Sequence, residues 1–223
     1  MPISATRKAA IRAEIVGHAA RLFRLRGHAG TNIDDIMLAA GLTRGAFYAH
    51  FTSKDDLLAE IVRMGHGLLP KLRAGPPAAA LDAYLARDDL AANALACTLA
   101  SLAGDIARAP LPARLAYANV LHGAIGELAT ARQRRGLDPE ATVAAILAVG
   151  AVILARASGD TRLSDWLLRC ARRAVKPLMK KPAKKKSAPK RRASPAKKRS
   201  TSRRKAAPAR PSRRAARSRG GRA

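Results

Sequence analysis

The chain changes character once, and that change limits what can fold. After Met179 no Ile, Leu, Val or aromatic residue occurs, although the sequence continues to Ala223. Such a segment cannot bury enough apolar surface to offset the entropy lost on ordering, so 179–223 is expected to be a disordered tail. The fold must then come from 1–178. Charge divides at the same place. Residues 1–178 hold 23 Lys and Arg against 15 Asp and Glu, or +8; residues 179–223 hold 20 against none, so the tail contributes +20 of the total +28.

Upstream of the break the apolar spacing is helical throughout and no segment reads as a strand, which predicts an all-α fold. Ile11, Ile15, Ala19, Leu22 and Phe23 form the stripe of an amphipathic helix over 7–26, closed by Gly27 and Gly30. Thr31, with Asp34 three positions on, is expected to cap a second helix of about nine residues that ends at Gly41. Thr43 opens a very short third helix through Phe51, and Ser53 with Asp56 opens a fourth whose end is marked by Gly67 and Pro70. Beyond the Gly75-Pro76-Pro77 linker, helices are expected at 78–87, 90–108, 112–135, 139–158 and 163–176. Asp138-Pro139-Glu140 is a firm start signal: Asp at the cap, Pro at the first helical position, Glu in the first turn.

Several function classes are disfavoured. Cys97 and Cys170 have no C-x-x-C or Cys/His spacing around them, so no metal site is expected. Cys97 and His122 could suggest a nucleophile and base, but no orienting third group accompanies them, and the chain is not read as an enzyme or as binding a cofactor. The longest apolar run, Val143 to Ala155, has 13 residues. A bilayer needs about 20, so no membrane association is expected. The N-terminal Met1-Pro2-Ile3-Ser4 leads straight into a charged helix without an apolar leader, and a cytoplasmic, nucleoid-associated location follows as the expectation.

Helix two, the turn Gly41-Leu42-Thr43 and helix three have the spacing of a helix-turn-helix, which lays its second helix in the major groove of DNA. Phe47 and Phe51, four apart, should anchor helix three to the stripe of helix one. Arg44, Gly45, Tyr48 and Ala49 then point away. Arg44 can fork onto a guanine, Gly45 permits close backbone approach, and Ala46 can touch a thymine methyl. Tyr48 and His50 offer hydrogen bonds to phosphate, and Lys54 adds charge at the start of helix four.

The stretch Thr31-Asn32-Ile33-Asp34-Asp35-Ile36, followed by the run from Ala40 to Leu58 (AGLTRGAFYAHFTSKDDLL), resembles the DNA-binding domain of the TetR/AcrR family. The likeness covers about residues 7–63. It implies that Thr31 and Asn32 meet phosphate, that Thr43, Arg44, Gly45, Ala46, Tyr48, Ala49 and His50 face DNA, and that Lys54 clamps the backbone. It also implies a homodimeric regulator, typically a repressor, that binds a palindromic operator in double-stranded DNA and is released by a small-molecule effector.

The expected domains are therefore a three-helix helix-turn-helix domain at 1–63, a helical effector-binding and dimerisation domain at 64–178, and the tail at 179–223. Helices 139–158 and 163–176 carry more apolar surface than one small subunit needs, and so are assigned to a two-fold interface. Met64, His66, Tyr84, Cys97, Leu99, Leu102 and His122 are the residues that could line an effector cavity. The tail repeats Lys and Arg with Ala, Pro and Ser, and resembles the tails of linker histones and bacterial histone-like proteins. Its charges would add sequence-indifferent DNA affinity. An architectural, nucleoid-associated protein whose folded part mainly dimerises is the alternative reading.

Overall fold

A computed structural model describes residues 4–87 and 97–180. These lie within one compact unit, Met1–Ala183. The tail beyond Lys180, and the first part of the helix expected over 90–108, lie outside the described residues.

Eleven helices and no strand occur among the described residues: α1 (Ala5–Arg26), α2 (Ile33–Ala39), α3 (Arg44–Tyr48), α4 (Lys54–Arg63), α5 (Leu68–Ala74), α6 (Pro77–Tyr84), α7 (Thr98–Ser101), α8 (Ala103–Arg108), α9 (Leu111–Ala131), α10 (Pro139–Ala157) and α11 (Thr161–Leu178). The all-α expectation holds. Two details differ. Gly67 and Pro70 do not end α4 but begin α5, with Gly67 at the cap and Pro70 in the first turn, where a missing N–H removes no intrahelical bond. The C-terminal part of the helix expected over 90–108 breaks at Leu102 into α7 and α8.

Two apolar cores form. One gathers Ile15, Ala19 and Phe23 of α1, Ile36 and Met37 of α2, Phe47, Phe51, and the apolar face of α4, and it also takes in Leu102, Ile106, Ala113 and Ala116 from α8, α9 and the residue before α8. Helix α9 packs along α4, so the small N-terminal bundle is closed by helices from the second half. The other core joins α5, α6 and α9 to the small residues of α10 and to Leu168, Ala171 and Val175 of α11.

At the far end, Asp138 caps α10 by accepting the Ala141 N–H at 3.1 Å, as its Asp-Pro-Glu sequence predicts. The buried Arg132 was not anticipated. Its Nε donates to Asp138 Oδ2 at 2.7 Å, its Nη2 lies 3.2 Å from Glu140 Oε2, and its Nη1 reaches the Leu178 and Lys180 carbonyls. One guanidinium thus joins the end of α9, the start of α10 and the end of α11.

Helix α10 runs for 19 residues, longer than the 13-residue apolar run from which no membrane association was expected, and by length and composition it could cross a membrane. Ala144, Ala145, Ala148 and Val152 are buried, whereas Val143, Ile146 and Leu154 face outward, as do Leu163 and Trp166 of α11. Small residues inside and large apolar residues outside reverse the pattern of a free surface helix.

Candidate nucleic-acid interface

The reading surface is set by how α2 ends and α3 begins. Gly41, at φ +66°, closes α2 with paired bonds, Gly41 N–H to Leu38 O at 3.1 Å and Leu42 N–H to Met37 O at 2.9 Å. Glycine takes that left-handed conformation without strain. Thr43 then caps α3 by position alone, its side chain making no cap bond.

Helix α3 is held by its Phe47 and by Phe51 just beyond its end. Phe47 and Phe51 are buried, with ring centroids 5.6 Å apart. Arg12 of α1 lies over Phe51 at 4.1 Å and donates to His50 O at 2.6 Å, so the segment that follows α3 is pinned to α1. The opposite face is open: Thr43, Arg44, Gly45, Tyr48 and Ala49 are exposed, and Tyr48 is 56% exposed. Ala46 and His50 are half-buried. An aromatic ring and a guanidinium left in water beside two residues with minimal side chains form a surface suited to close approach in a groove.

Arg44 is not loose. Its Nη1 lies 2.6 Å from Asp34 Oδ2, and Tyr48 together with Asp34 raises the guanidinium above its ordinary range. This pair exists because the cap of α2 sits one residue later than the sequence pattern suggested. Asn32, not Thr31, is the cap: its Oδ1 accepts Asp35 N–H at 2.7 Å, and Asp35 Oδ2 accepts Asn32 N–H at 3.3 Å. Asp34 is thereby released to meet Arg44.

Thr31 and Lys54 have inward duties that the resemblance did not suggest. Thr31 is buried and donates its hydroxyl to Gly27 O at 2.9 Å, which withdraws it from the surface. Lys54 Nζ donates to His28 O at 2.7 Å and Thr31 O at 2.8 Å, tying α4 to the α1–α2 turn. An ammonium has three donors, so one remains for a phosphate. Ser53 caps α4 as expected, accepting Asp56 N–H at 3.0 Å.

His50 lies in a shallow cleft with Ala5, Lys8, Ala9, Arg12 and Ala49. Burial, then the charges of Lys8 and Arg12, lower its pKa. Lys8 and Arg12 were not singled out from the sequence, although their spacing of four on the polar face of α1 was the available signal. They place positive charge beside the recognition helix.

The seven residues considered for an effector cavity differ in burial, and the structure links His66 to the Cys97 segment through the Thr98 N–H bond to the His66 carbonyl at 3.1 Å. Met64 and His122 are exposed, while Tyr84, Cys97, Leu99 and Leu102 are buried in the cores. Tyr84 donates its hydroxyl to Cys97 Sγ at 3.1 Å, and burial pushes the Tyr84 phenol far up. His66 is half-buried. Leu102 belongs to the N-terminal core because the chain bends there between α7 and α8.

This arrangement defines a helix-turn-helix DNA-binding domain. Residues 15–61 match the family described as bacterial regulatory proteins, tetR family. The same part is 41% identical over 61 residues to the HTH-type transcriptional regulator AcrR of Shigella flexneri, covering 27% of this chain and 28% of that protein. It is 43% identical over 56 residues to the HTH-type transcriptional repressor KstR2 of Rhodococcus jostii, covering 25% and 28%. The chain thus spans little more than a quarter of the curated relatives it matches. The fold extends further. The reduced form of E. coli NemR superposes with a TM-score of 0.62 at 20% identity, over 78% of this chain and 99% of that one. A TetR-family regulator from Agrobacterium tumefaciens gives 0.58 at 22%, over 74% and 97%.

Proposed function

We propose that the chain is a dimeric, sequence-specific transcriptional regulator, a repressor that leaves a palindromic operator when a small effector binds. The carrying observation is the open face of α3, where Arg44 and Tyr48 stand in water above a core-locked Phe47 and Phe51. Phosphate contacts from Asn32, Tyr48, His50 and Lys54 would set the register, and Arg44, Gly45, Ala46 and Ala49 would meet base edges. Thr43, whose side chain makes no bond at the cap, would join the phosphate set.

The second copy would dock on the apolar groove between α10 and α11, lined by Ile146, Leu147, Gly150, Leu154, Leu167 and Cys170. Paired subunits would present two α3 helices to half-sites about one helical turn apart. Residues 1–63 would read DNA, 64–178 would dimerise and sense, and 179–223 would add sequence-indifferent affinity. A small-molecule response has support in the multidrug binding protein EbrR, a fold neighbour with a TM-score of 0.53 that was solved with proflavin.

Genome-wide mapping of bound sites with the full chain and with one ending at Lys180 tests this reading. A few discrete sites sharing a two-fold motif, kept after truncation, are expected. Diffuse coverage that disappears with the tail would reject operator recognition.

A further inference from the structure

Helix α1 carries an arginine that the reading surface does not use. Arg24 is half-buried, and its Nε and Nη2 lie out of contact with water with no hydrogen-bond partner among the described residues. Guanidinium donors are not left empty without a penalty, since a buried charge is ordinarily paired. Among the described residues no Asp or Glu acts on Arg24, whose charge interacts with Cys97 and with His66. A second orphan lies one residue beyond Cys97. Thr98 is fully buried and its Oγ1 also has no partner.

These groups are held together by backbone. Thr98 N–H donates to His66 O at 3.1 Å, and the loop carrying His66 presses so closely on Cys97 that a Cβ on Gly67 would sit 2.5 Å from the Cys97 Cα. Gly67 has φ +95°, so that approach depends on glycine. The charge of Arg24 acts on both His66 and Cys97, so its guanidinium fork from α1 neighbours the backbone-linked pair of the α4–α5 loop and the N-terminal end of α7, which carries the Thr98 hydroxyl.

We propose that Arg24, with Thr98 and His66, binds the carboxylate of an organic acid with an apolar body. The site supplies one fixed positive charge, because burial and then the charge of Arg24 lower the His66 pKa and keep the imidazole neutral. One charge suits a monoanion. The planar fork matches the two oxygens of a carboxylate. Leu99, buried in one core, and Leu102, buried in the other, are the nearby apolar side chains in the chain that would have to part to admit the rest of the ligand.

The location gives binding a route to DNA. Arg24 is one turn before Gly27 and His28, and the His28 carbonyl accepts from Lys54 at the start of α4 while its N–H donates to Asp105 of α8 at 3.2 Å. A carboxylate drawn to Arg24 at the seam of the two cores would bias how that turn is held. This deepens the reading of the chain as an effector-responsive regulator and rests on it.

The test melts full-length wild type, Arg24→Met and Arg24→Lys, each alone and with phenylacetate, octanoate or their neutral amides. Without ligand, Arg24→Met should melt about 2–6 °C higher than wild type because an unpaired buried charge is gone. At least one acid should raise the wild-type Tm with its amide inactive; Arg24→Met should not respond, and Arg24→Lys, which keeps the charge without the fork, should respond less. An Arg24→Met protein that melts lower than or level with wild type overturns the proposal, as does a wild type that answers neither acid or answers acid and amide alike. Operator binding measured on the same wild-type sample separates the two readings: intact operator binding without an acid response removes only the carboxylate site, and an acid response without operator binding removes only the regulator.

Discussion

Arg44 of α3 donates from Nη1 to Asp34 Oδ2 of α2 at 2.6 Å, so the side chain best placed to read a base is braced by a carboxylate from the helix behind it. Both groups are exposed, and such a pair adds little to stability. Its effect is on orientation and on charge beside DNA. Asp34→Asn should bind every duplex more tightly, because a negative charge near phosphate is gone. It should also discriminate less well at one operator position, because Arg44 is less fixed. Affinities for the operator and for random DNA, compared at one salt concentration, check both.

Removal of Arg44 itself acts on specificity. Arg44→Ala should relax the preference for one base by about tenfold or more at one symmetric position of each half-site. Tyr48→Phe should weaken all duplexes alike, since phosphate contacts carry no base identity. Equilibrium binding to a set of single-base operator variants distinguishes the two patterns.

Lys54 combines two roles that one substitution will expose together. Lys54→Ala removes the donors to the His28 and Thr31 carbonyls and should destabilise the fold by about 1–3 kcal/mol as well as weakening DNA binding. Urea unfolding measures the first effect and titration with DNA the second. Unchanged stability would show that the inward bonds contribute nothing.

Much of the interface could be read in the sequence because short-range rules govern it. The glycine that closes α2, the Phe47 and Phe51 spacing, the Ser53 cap and the Asp138-Pro139 start all act within a turn or two. What escaped reading depends on distant partners. Thr31 and Asn32 are both good caps, and only the Gly27 carbonyl, reached by Thr31 across the turn, decides between them. Pro70 reads as a stop unless Gly67 is known to take a left-handed turn. The effector residues were chosen by chemical type alone, and type does not tell a buried Leu102 in one core from a buried Leu99 in the other.

The junction of α9, α10 and α11 should fail in acid. Burial pushes the Asp138 carboxyl up, but the Ala141 amide and Arg132 outweigh it, and the pKa ends below its usual value. A carboxyl depressed in the folded state contributes stability that is fully present above the unfolded value of about 3.9 and is lost as pH falls through the folded value. Between about pH 5 and pH 2 the wild-type Tm should therefore fall more steeply than that of Asp138→Asn. At neutral pH, Arg132→Met should cost about 3–5 kcal/mol, because it leaves a buried carboxylate with only the more distant Arg134, at 4.0 Å, as a charged partner.

The outward face of α10 and α11 should hold two copies together. Ile146→Glu and Trp166→Glu place charge on residues that are exposed in one subunit, 63% and 59% respectively, so a folded monomer should tolerate them. Light scattering at micromolar concentration should report a dimer for wild type and monomers for both variants. A wild-type monomer would remove the interface.

The most direct measurement is selection of bound duplexes from a random pool by the chain cut after Lys180. The cut retains both carbonyls that Arg132 holds and removes 19 positive charges. Binding should weaken and its salt dependence flatten by about 0.9 for each phosphate no longer neutralised. The recovered sequences should nevertheless converge on two inverted half-sites, the same as those selected by the full chain. A cut chain that folds and dimerises normally but recovers no common motif at low salt would contradict the account.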